Sequence, residues 1–169
     1  MNFPLAYLLT FRTYGTWHHG DTRGSVDRRS FNQYRTPMIP PSVALASDER
    51  SLQKHESFLL NEEQRANVES TIKEVCKYRA YDLYAANVRT NHVHSVVHAL
   101  RPPEKIVEAF KSYSTRNLRN AKLIDSSVRV WSRHASTLYL WKESSVTAAV
   151  GYVLYGQGDE FPNFDELVG

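Results

Sequence analysis

The sequence has little cysteine and no long hydrophobic run, and each absence excludes a class of protein. A single cysteine, Cys76, occurs among the 169 residues, which excludes an internal disulfide framework and a cysteine-ligated zinc site. No apolar run approaches the roughly 20 residues of a membrane-spanning helix. Residues 1–10 lack a basic region followed by a cleavage site. The sequence therefore predicts a cytoplasmic protein without membrane association, with Cys76 as a core residue.

The length suits one domain with a sizeable core. We expect residues 1–169 to form a single domain, with its core at about 5–158 and an acidic tail at 159–169. The tail region is unusual in charge, because residues 143–169 contain five acids and no lysine or arginine.

Positive charge is concentrated in two blocks, although the formal net charge is only +3. Residues 1–42 contain five arginines against two aspartates, and residues 101–142 contain nine basic and three acidic groups. Both blocks are rich in tyrosine and tryptophan, a combination that suits a phosphate backbone with stackable bases. An ordinary solvated surface is the alternative interpretation.

Hydrophobic periodicity predicts the order strand, long loop, helix, strand, strand, helix, strand, helix. The predicted elements are strands at 5–12, 81–89, 92–100 and 137–141, and helices at about 61–78, 104–122 and 144–155. This order is typical of an α+β fold of the ferredoxin-like, split βαβ type. It implies an antiparallel sheet with helices on one face, central first and third strands, an added C-terminal helix and a long N-terminal loop.

The predicted loop, residues 14–50, is punctuated by glycine and proline and carries basic and aromatic side chains. Loops of this length in a compact domain are usually functional, so we expect this one to follow a ligand surface. The candidate DNA contacts in and beside it are Arg12, Tyr14, Trp17, Arg23 and Arg28.

His92 and His94 form a His-x-His pair within a strand-like segment. Residues two apart in a strand point to the same face, so both rings can approach one metal ion, whereas Val93 and Val97 point into a core. His98 shares this parity but is interpreted as a strand-end residue. Two imidazoles do not complete a site, and a polar strand face without metal is the alternative.

The helix at 104–122 offers a third ligand and a nucleophile. Helical spacing gathers Ile106, Val107, Phe110, Leu118 and Ala121 in one apolar arc. Tyr113 and Asn117 lie at the border of that arc, one turn apart. The amide oxygen of Asn117 would complete a site for Mg²⁺ or Mn²⁺, and Tyr113 would attack a phosphodiester bound there.

The same helix carries cations outside its apolar arc. Lys111, Arg116 and Arg119 are the candidate DNA contacts on it, since they could stabilise charge on a phosphate. A tyrosine beside an apolar stripe is otherwise a core residue.

Several ordered motifs resemble one family, the HUH single-tyrosine transposases of bacterial insertion sequences, and most closely its branch associated with repetitive extragenic palindromes (REP). The resembling segments are Asn91-His92-Val93-His94, residues 110–118 around Tyr113, residues 10–17 with Gly20-Asp21 and 24–27, residues 130–133, and residues 152–158. The resemblance covers about residues 5–158.

The resemblance implies metal-dependent nicking and strand transfer on single-stranded DNA that bears hairpins. A tyrosine would attack a phosphodiester and leave a 5′-phosphotyrosine and a free 3′-hydroxyl. By position, Tyr113 would be the nucleophile, His92 and His94 metal ligands, and Asn117 a third ligand, with Gln157 as a possible substitute. The implied protein acts as a monomer or homodimer in the bacterial cytoplasm, associated with the nucleoid.

Two other functions remain compatible with the residues. One is a ferredoxin-like nucleic-acid-binding module without catalysis, which would use the basic and aromatic residues alone. The other is a metal-dependent hydrolase of small phosphate esters with no covalent tyrosine step. The long arginine-rich loop favours a polymeric substrate over a small one.

Overall fold

A four-stranded antiparallel sheet organises the protein. The computed structural model describes residues 2–16 and 57–156, together with the backbone of 25–26 and 38–39. In chain order the elements are β1 (Ala6–Thr13), β2 (Ser25–Val26), β3 (Met38–Ile39), α1 (Glu62–Arg79), β4 (Asp82–Val88), β5 (His92–His98), α2 (Pro103–Asn120), β6 (Trp131–Leu140) and α3 (Glu143–Tyr155). The strand order is β4-β5-β1-β6. The first and third strands of this sheet, β1 and β5, are central, which confirms the predicted α+β fold.

The last strand is longer than the sequence predicted. It begins at Trp131, whereas the periodicity placed its start at Thr137. Among the described residues, β6 lies at the edge of the sheet and pairs only with β1. Its first half therefore tolerates exposed polar side chains, among them Arg133 and His134, which hide the alternation that marks a half-buried strand.

The helices divide between the two faces of the sheet. α1 and α2 cover the face that carries Leu9, Phe11 and Val93, where they build the larger core. α3 covers the opposite face, where it packs on Leu8 and Val96. Because alternate strand residues point to opposite faces, the histidines that share parity with Val96 lie on the α3 face.

Local sequence accounts for the helix that precedes β4. Asn61 and Gln64 form a capping box: each backbone N–H donates to the other's side-chain oxygen at 2.8 Å. The helix ends where Ala80 adopts a left-handed conformation with φ 57°. The predicted start of this helix is confirmed.

The amphipathic stripe of α2 is confirmed with one exception. Ile106, Val107, Phe110 and Leu118 are buried, whereas Ala121 lies just beyond the helix and is exposed. Cys76 is buried on α1, as predicted, and burial raises the pKa of its thiol to about 12.

Several predictions fall outside the described residues, including the contacts assigned to Trp17, Arg23 and Arg28, and the acidic tail. Within the segment predicted as irregular, β2 and β3 pair with each other, Ser25 opposite Ile39. In the part of the chain that the structure describes, no helix has the length and apolar character needed to cross a membrane.

The core on the α1–α2 face supports the first testable prediction. Phe110 is fully buried, and its ring lies 6.4 Å from that of Phe11. We expect Phe110→Ala to lower the free energy of unfolding by about 3–5 kcal/mol, because it removes apolar contacts and leaves a cavity. Urea denaturation would measure this change.

Tyr78→Ala is the matched control, since it truncates an aromatic residue that is 87% exposed on α1. It should change stability by less than about 0.5 kcal/mol. Similar losses in the two variants would contradict the assignment of the core.

Candidate active site

Two imidazoles lie side by side on the α3 face of β5. The ring centroids of His92 and His94 are 4.6 Å apart, with the rings nearly perpendicular. Nδ1 of His94 shares a 2.8 Å hydrogen bond with the hydroxyl of Thr10, and Nδ1 of His92 lies 2.7 Å from Oδ1 of Asn91. Metal-binding histidines usually engage one ring nitrogen with a polar neighbour while the other binds metal, so this pattern fits coordination through Nε2.

His94 is held in its neutral form. The side chain is only 3% exposed. Burial, together with the positive charges of His92, Arg12 and Arg89, lowers the pKa of His94 to about 3. A neutral imidazole is the form that binds a metal ion. This chemistry fits a divalent ion at the pair.

A tyrosine of α3 packs directly on this pair. The ring centroid of Tyr152 lies 5.3 Å from that of His94, at an interplanar angle of 66°, and the residue is 7% exposed. Burial raises the pKa of the Tyr152 phenol, while the nearby positive charge of Arg12 opposes this rise. Two imidazoles, a phenol and a guanidinium therefore come together on one face of the sheet.

The local sequence fixes the position of this tyrosine. Ala149 and Val153 are buried with Tyr152 against the apolar end of the α3 face. The side-chain amide of Asn87 on β4 donates to the carbonyl of Val153 at 3.0 Å. These contacts hold the last turns of α3 over β5.

Tyr113 and Asn117 lie on the other side of the sheet. The Tyr113 ring packs at the edge of the α1–α2 core, with the guanidinium of Arg79 5.8 Å from its centroid and that of Arg116 at 5.1 Å. The Asn117 amide donates to the Thr71 hydroxyl of α1 at 2.8 Å. The structure therefore does not bring the sequence-predicted nucleophile and third ligand to the histidines of the same chain.

The physical reason is the alternation of β5. Val93 and Val97 pack against α1 and α2, so the histidines between and before them must point away from α2. Tyr113 and Asn117 lie beside the apolar arc of α2. They are therefore on the face of the sheet that carries the two valines. His98 is also accounted for: its Nδ1 lies 2.8 Å from the Leu5 carbonyl, consistent with a strand-end role.

A third protein ligand is not apparent in residues 2–16 and 57–156. No group of three or more His, Cys, Asp or Glu side chains arranged to hold a metal occurs there. Gln157, the substitute suggested by the sequence, lies outside the described residues. The described part of the site thus supplies two nitrogen ligands.

The remaining predicted DNA contacts separate by face. Arg12 stands opposite His92 in the β1–β5 register and so belongs to the histidine face. Lys111, Arg116 and Arg119 instead line an open depression of about 510 Å³ beside α2. Tyr14 lies at the end of β1, where the guanidinium of Arg129 is 4.6 Å from its ring centroid.

Sequence reasoning missed two members of the site, Tyr152 and Thr10. The signal was present in the alternation of the strands. On β1, Ala6 and Leu8 share the parity of Thr10 and Arg12, so the strand changes from apolar to polar on the face opposite Leu9 and Phe11. Tyr152 could have been found by asking which predicted helix was left to cover the histidine face.

Comparisons with known proteins give one family. The sequence profile described as IS200-like transposase matches residues 51–153. Among solved structures, the chain is similar to a protein of Deinococcus radiodurans R1 whose assignment as a transposase is provisional, with 14% identity and a TM-score of 0.44 over 91% of this chain and 92% of that one. No curated protein of similar sequence was found.

The buried histidine gives the second prediction. In the metal-free protein, His94 should stay neutral down to about pH 4, because burial depresses its pKa to about 3, whereas an unfolded chain protonates it near pH 6.5. The unfolded state therefore binds more protons between these values. Stability should fall as the pH drops below about 6.5, by at most about 1.4 kcal/mol per pH unit from this group.

An NMR titration of the imidazole resonances would measure this. A folded-state midpoint for His94 near 6.5 would contradict the burial and the Thr10 contact described above.

Proposed function

The chain belongs to the family of IS200-like transposases, and on that premise we propose that it nicks and rejoins single-stranded DNA through a covalent tyrosine intermediate. The observation that carries the proposal is the cluster of His92, His94 and Tyr152 on one face of the sheet. Phosphoryl transfer to a phenol requires a positioned nucleophile and stabilisation of charge on the phosphate. This cluster offers both within one chain.

His92 and His94 would hold Mg²⁺ or Mn²⁺, with water or phosphate oxygens in the other positions. When bound, a divalent ion supplies Lewis-acid polarisation of the scissile phosphate. The hydrogen bonds that Nδ1 of His94 and Nδ1 of His92 make with Thr10 and Asn91 orient the two rings, which lowers the cost of bringing both Nε2 atoms to one ion.

Tyr152 is the proposed nucleophile. Its phenolic oxygen attacks the phosphorus, a tyrosine–phosphate ester bond forms, and the bond from phosphorus to the 3′-oxygen breaks. The phenol releases its proton, and the departing 3′-oxygen gains one to become the free hydroxyl. Rejoining reverses these bond changes with a 3′-hydroxyl as the attacking group.

Arg12 would stabilise the negative charge that develops in this step. Its guanidinium opposes the rise in the pKa of Tyr152 that burial causes, so it favours the phenolate over the phenol. The same guanidinium is on the histidine face and can pair with the phosphate. Burial raises the pKa of the Tyr152 phenol above the usual value of about 10, so the phenol is protonated at rest and must lose its proton as it attacks.

The proposed substrate is hairpin-bearing single-stranded DNA in the bacterial cytoplasm, in association with the nucleoid. The motifs at 10–17, 24–27 and 130–133 support this choice, since they resemble the palindrome-associated branch. A monomer can carry the reaction because all four side chains come from one chain, and a homodimer would carry two such sites. Tyr113 lies at the α1–α2 core, on the opposite face of the sheet from His92 and His94 of its own chain.

The third prediction concerns the identity of the nucleophile. Tyr152→Phe should abolish the covalent protein–DNA adduct, a loss of at least about 10³-fold, because no other group replaces a missing nucleophile efficiently. The measurement is a denaturing gel with labelled single-stranded hairpin DNA from the sequences that flank the gene, with Mn²⁺ or with chelator.

Tyr113→Phe is the matched control, since it removes one hydroxyl from the opposite face of the sheet. It should leave adduct formation within about twofold of the wild type. An adduct that survives Tyr152→Phe but disappears with Tyr113→Phe would reject the assignment. Binding without any adduct would favour the non-catalytic nucleic-acid-binding module, and metal-dependent phosphate-ester hydrolysis without an adduct would favour a hydrolase.

The fourth prediction concerns Thr10, the residue that is hydrogen-bonded to Nδ1 of His94. Thr10→Val keeps the side-chain shape but removes the hydroxyl that binds Nδ1. We expect Mn²⁺ affinity to fall by about 10- to 100-fold, the usual cost of losing a partner that orients a ligand. Isothermal titration calorimetry would measure it, with His92→Ala/His94→Ala defining the absence of specific binding.

Thr71→Val serves as the comparison. Thr71 is a buried threonine whose hydroxyl is also hydrogen-bonded, but it lies on α1 on the opposite side of the sheet. Its loss should leave Mn²⁺ affinity unchanged. Equal effects of the two variants would mean that Thr10 acts through general stability alone.

A further inference from the structure

The last turn of α3 carries Tyr152, and its own sequence fixes it weakly. The last four carbonyls of a helix have no partner within the helix. The N–H of Gly156 donates to the carbonyl of Tyr152 at 2.9 Å. Gly156 has φ −105°, however, so it does not close the helix in the left-handed conformation by which Ala80 closes α1. The last turn also has no basic side chain to offset the helix dipole.

A glycine directly before Tyr152 weakens this turn further. Glycine is among the least favourable residues in a helix interior, because its backbone loses the most conformational freedom on folding. A side-chain carbon added to Gly151 would meet no atom of the surrounding structure within 4 Å, so the position makes no packing contact with the sheet. The orientation of the last turn therefore depends on the contacts of the residues that follow.

Asn87 on β4 supplies such a contact. Its side-chain amide donates to the carbonyl of Val153, the residue after Tyr152, at 3.0 Å. The two partners are 66 positions apart in the chain, so the bond is a tertiary tie and not a local cap. It satisfies one of the carbonyls that the end of the helix leaves without an intrahelical donor.

Asn87 is also the direct neighbour of His94 across the sheet. The two residues stand opposite each other in the β4–β5 register, so their side chains lie on the same face, with Cα atoms about 4.5–5.5 Å apart. Ala85, two residues earlier on β4, is buried under α3 on that face. One end of the tie is thus fixed beside the imidazoles, and the other end lies next to the proposed nucleophile.

Attack on a phosphate is sensitive to this kind of placement. The attacking oxygen must come within about 3–3.5 Å of phosphorus, and a misplacement of about 1 Å can cost about 10²-fold in rate. Loss of the tie to Val153 would let the phenol move relative to the phosphate. The imidazole of His94 would stay in place, because β5 and the Thr10 hydroxyl hold it.

We propose that Asn87 is a positioning residue, which fixes the phenol of Tyr152 relative to the histidine pair by tying the end of α3 to the strand beside β5. The proposal rests on the proposed function for the role of Tyr152 as the nucleophile. It separates two effects near His94, since Thr10 supports metal binding and Asn87 supports the placement of the nucleophile.

The first measurement needs neither DNA nor metal. Asn87→Leu keeps a side chain of similar shape but removes the amide donor. In the full chain, we expect it to weaken the nuclear Overhauser effect between the rings of Tyr152 and His94, whose centroids are 5.3 Å apart. The amide of Gly156 should exchange with solvent at least about tenfold faster, because the last turn opens more readily. If the leucine variant does not fold, Asn87→Ala gives the same test.

The second measurement is the rate of covalent adduct formation with labelled hairpin DNA and Mn²⁺. At saturating DNA, Asn87→Leu should form the adduct about 10- to 100-fold more slowly, because the phenol is misplaced. The DNA concentration that gives the half-maximal rate, and the affinity for Mn²⁺, should stay within about twofold of the wild type. A residue that supports only the overall fold would lower the rate and both affinities together.

Asn117→Leu is the matched control. Asn117 is also a half-buried asparagine whose amide donates a tertiary hydrogen bond, at 2.8 Å to the hydroxyl of Thr71. That bond joins α2 to α1 on the other side of the sheet. The control should therefore keep the wild-type contact between the rings of Tyr152 and His94 and the wild-type rate of adduct formation.

Three results would overturn the proposal. They are unchanged ring proximity and Gly156 exchange in Asn87→Leu, an equal slowing of adduct formation in Asn117→Leu, or a loss of Mn²⁺ affinity as large as the loss of rate. Failure of the proposed function gives a different result, because the adduct would then survive Tyr152→Phe or would not form at all. The first measurement would still decide whether Asn87 fixes the position of the Tyr152 ring.

Discussion

The alternation of side chains along β5 is the constraint on which the rest of the structure depends. Valines of one parity must be buried under α1 and α2, because this is the larger core. The histidines of the other parity are then forced to the opposite face. A shift of one residue in the register would exchange the two sets and destroy both the core and the site.

The α3 face changes character along the strands. Ala6 and Leu8 of β1 are apolar and lie under α3, while Thr10 and Arg12, on the same face, are polar and stand opposite His94 and His92 in the register. Tyr152 sits at the boundary between the two regions. Burial keeps His94 neutral, and the threonine hydroxyl satisfies its ring nitrogen, so an unpaired polar group does not destabilise the fold.

The two faces of the sheet offer different chemistry to the same polymer. The histidine face carries the groups that could activate and attack one phosphate. The α2–β6 edge carries the cations Lys111, Arg116 and Arg119. Among the described strands, β6 forms the edge of the sheet between these two regions.

The sequence by itself determined the order of elements, the central position of β1 and β5, the capping box of α1 and the pairing of His92 with His94. The order, the capping box and the histidine pair follow from local periodicity or from residues close together in the chain, and the central strands follow from matching that order to the split βαβ plan. Only the tertiary structure decided which helix meets the histidines, because that depends on which face of the sheet each helix covers. Tyr113 and Tyr152 each lie on a helix that follows a strand. Their local sequences do not show which of the two lies near the histidines. The burial of Val93 and Val97 under α2 leaves the imidazoles to α3, and this packing puts the Tyr152 ring beside His94.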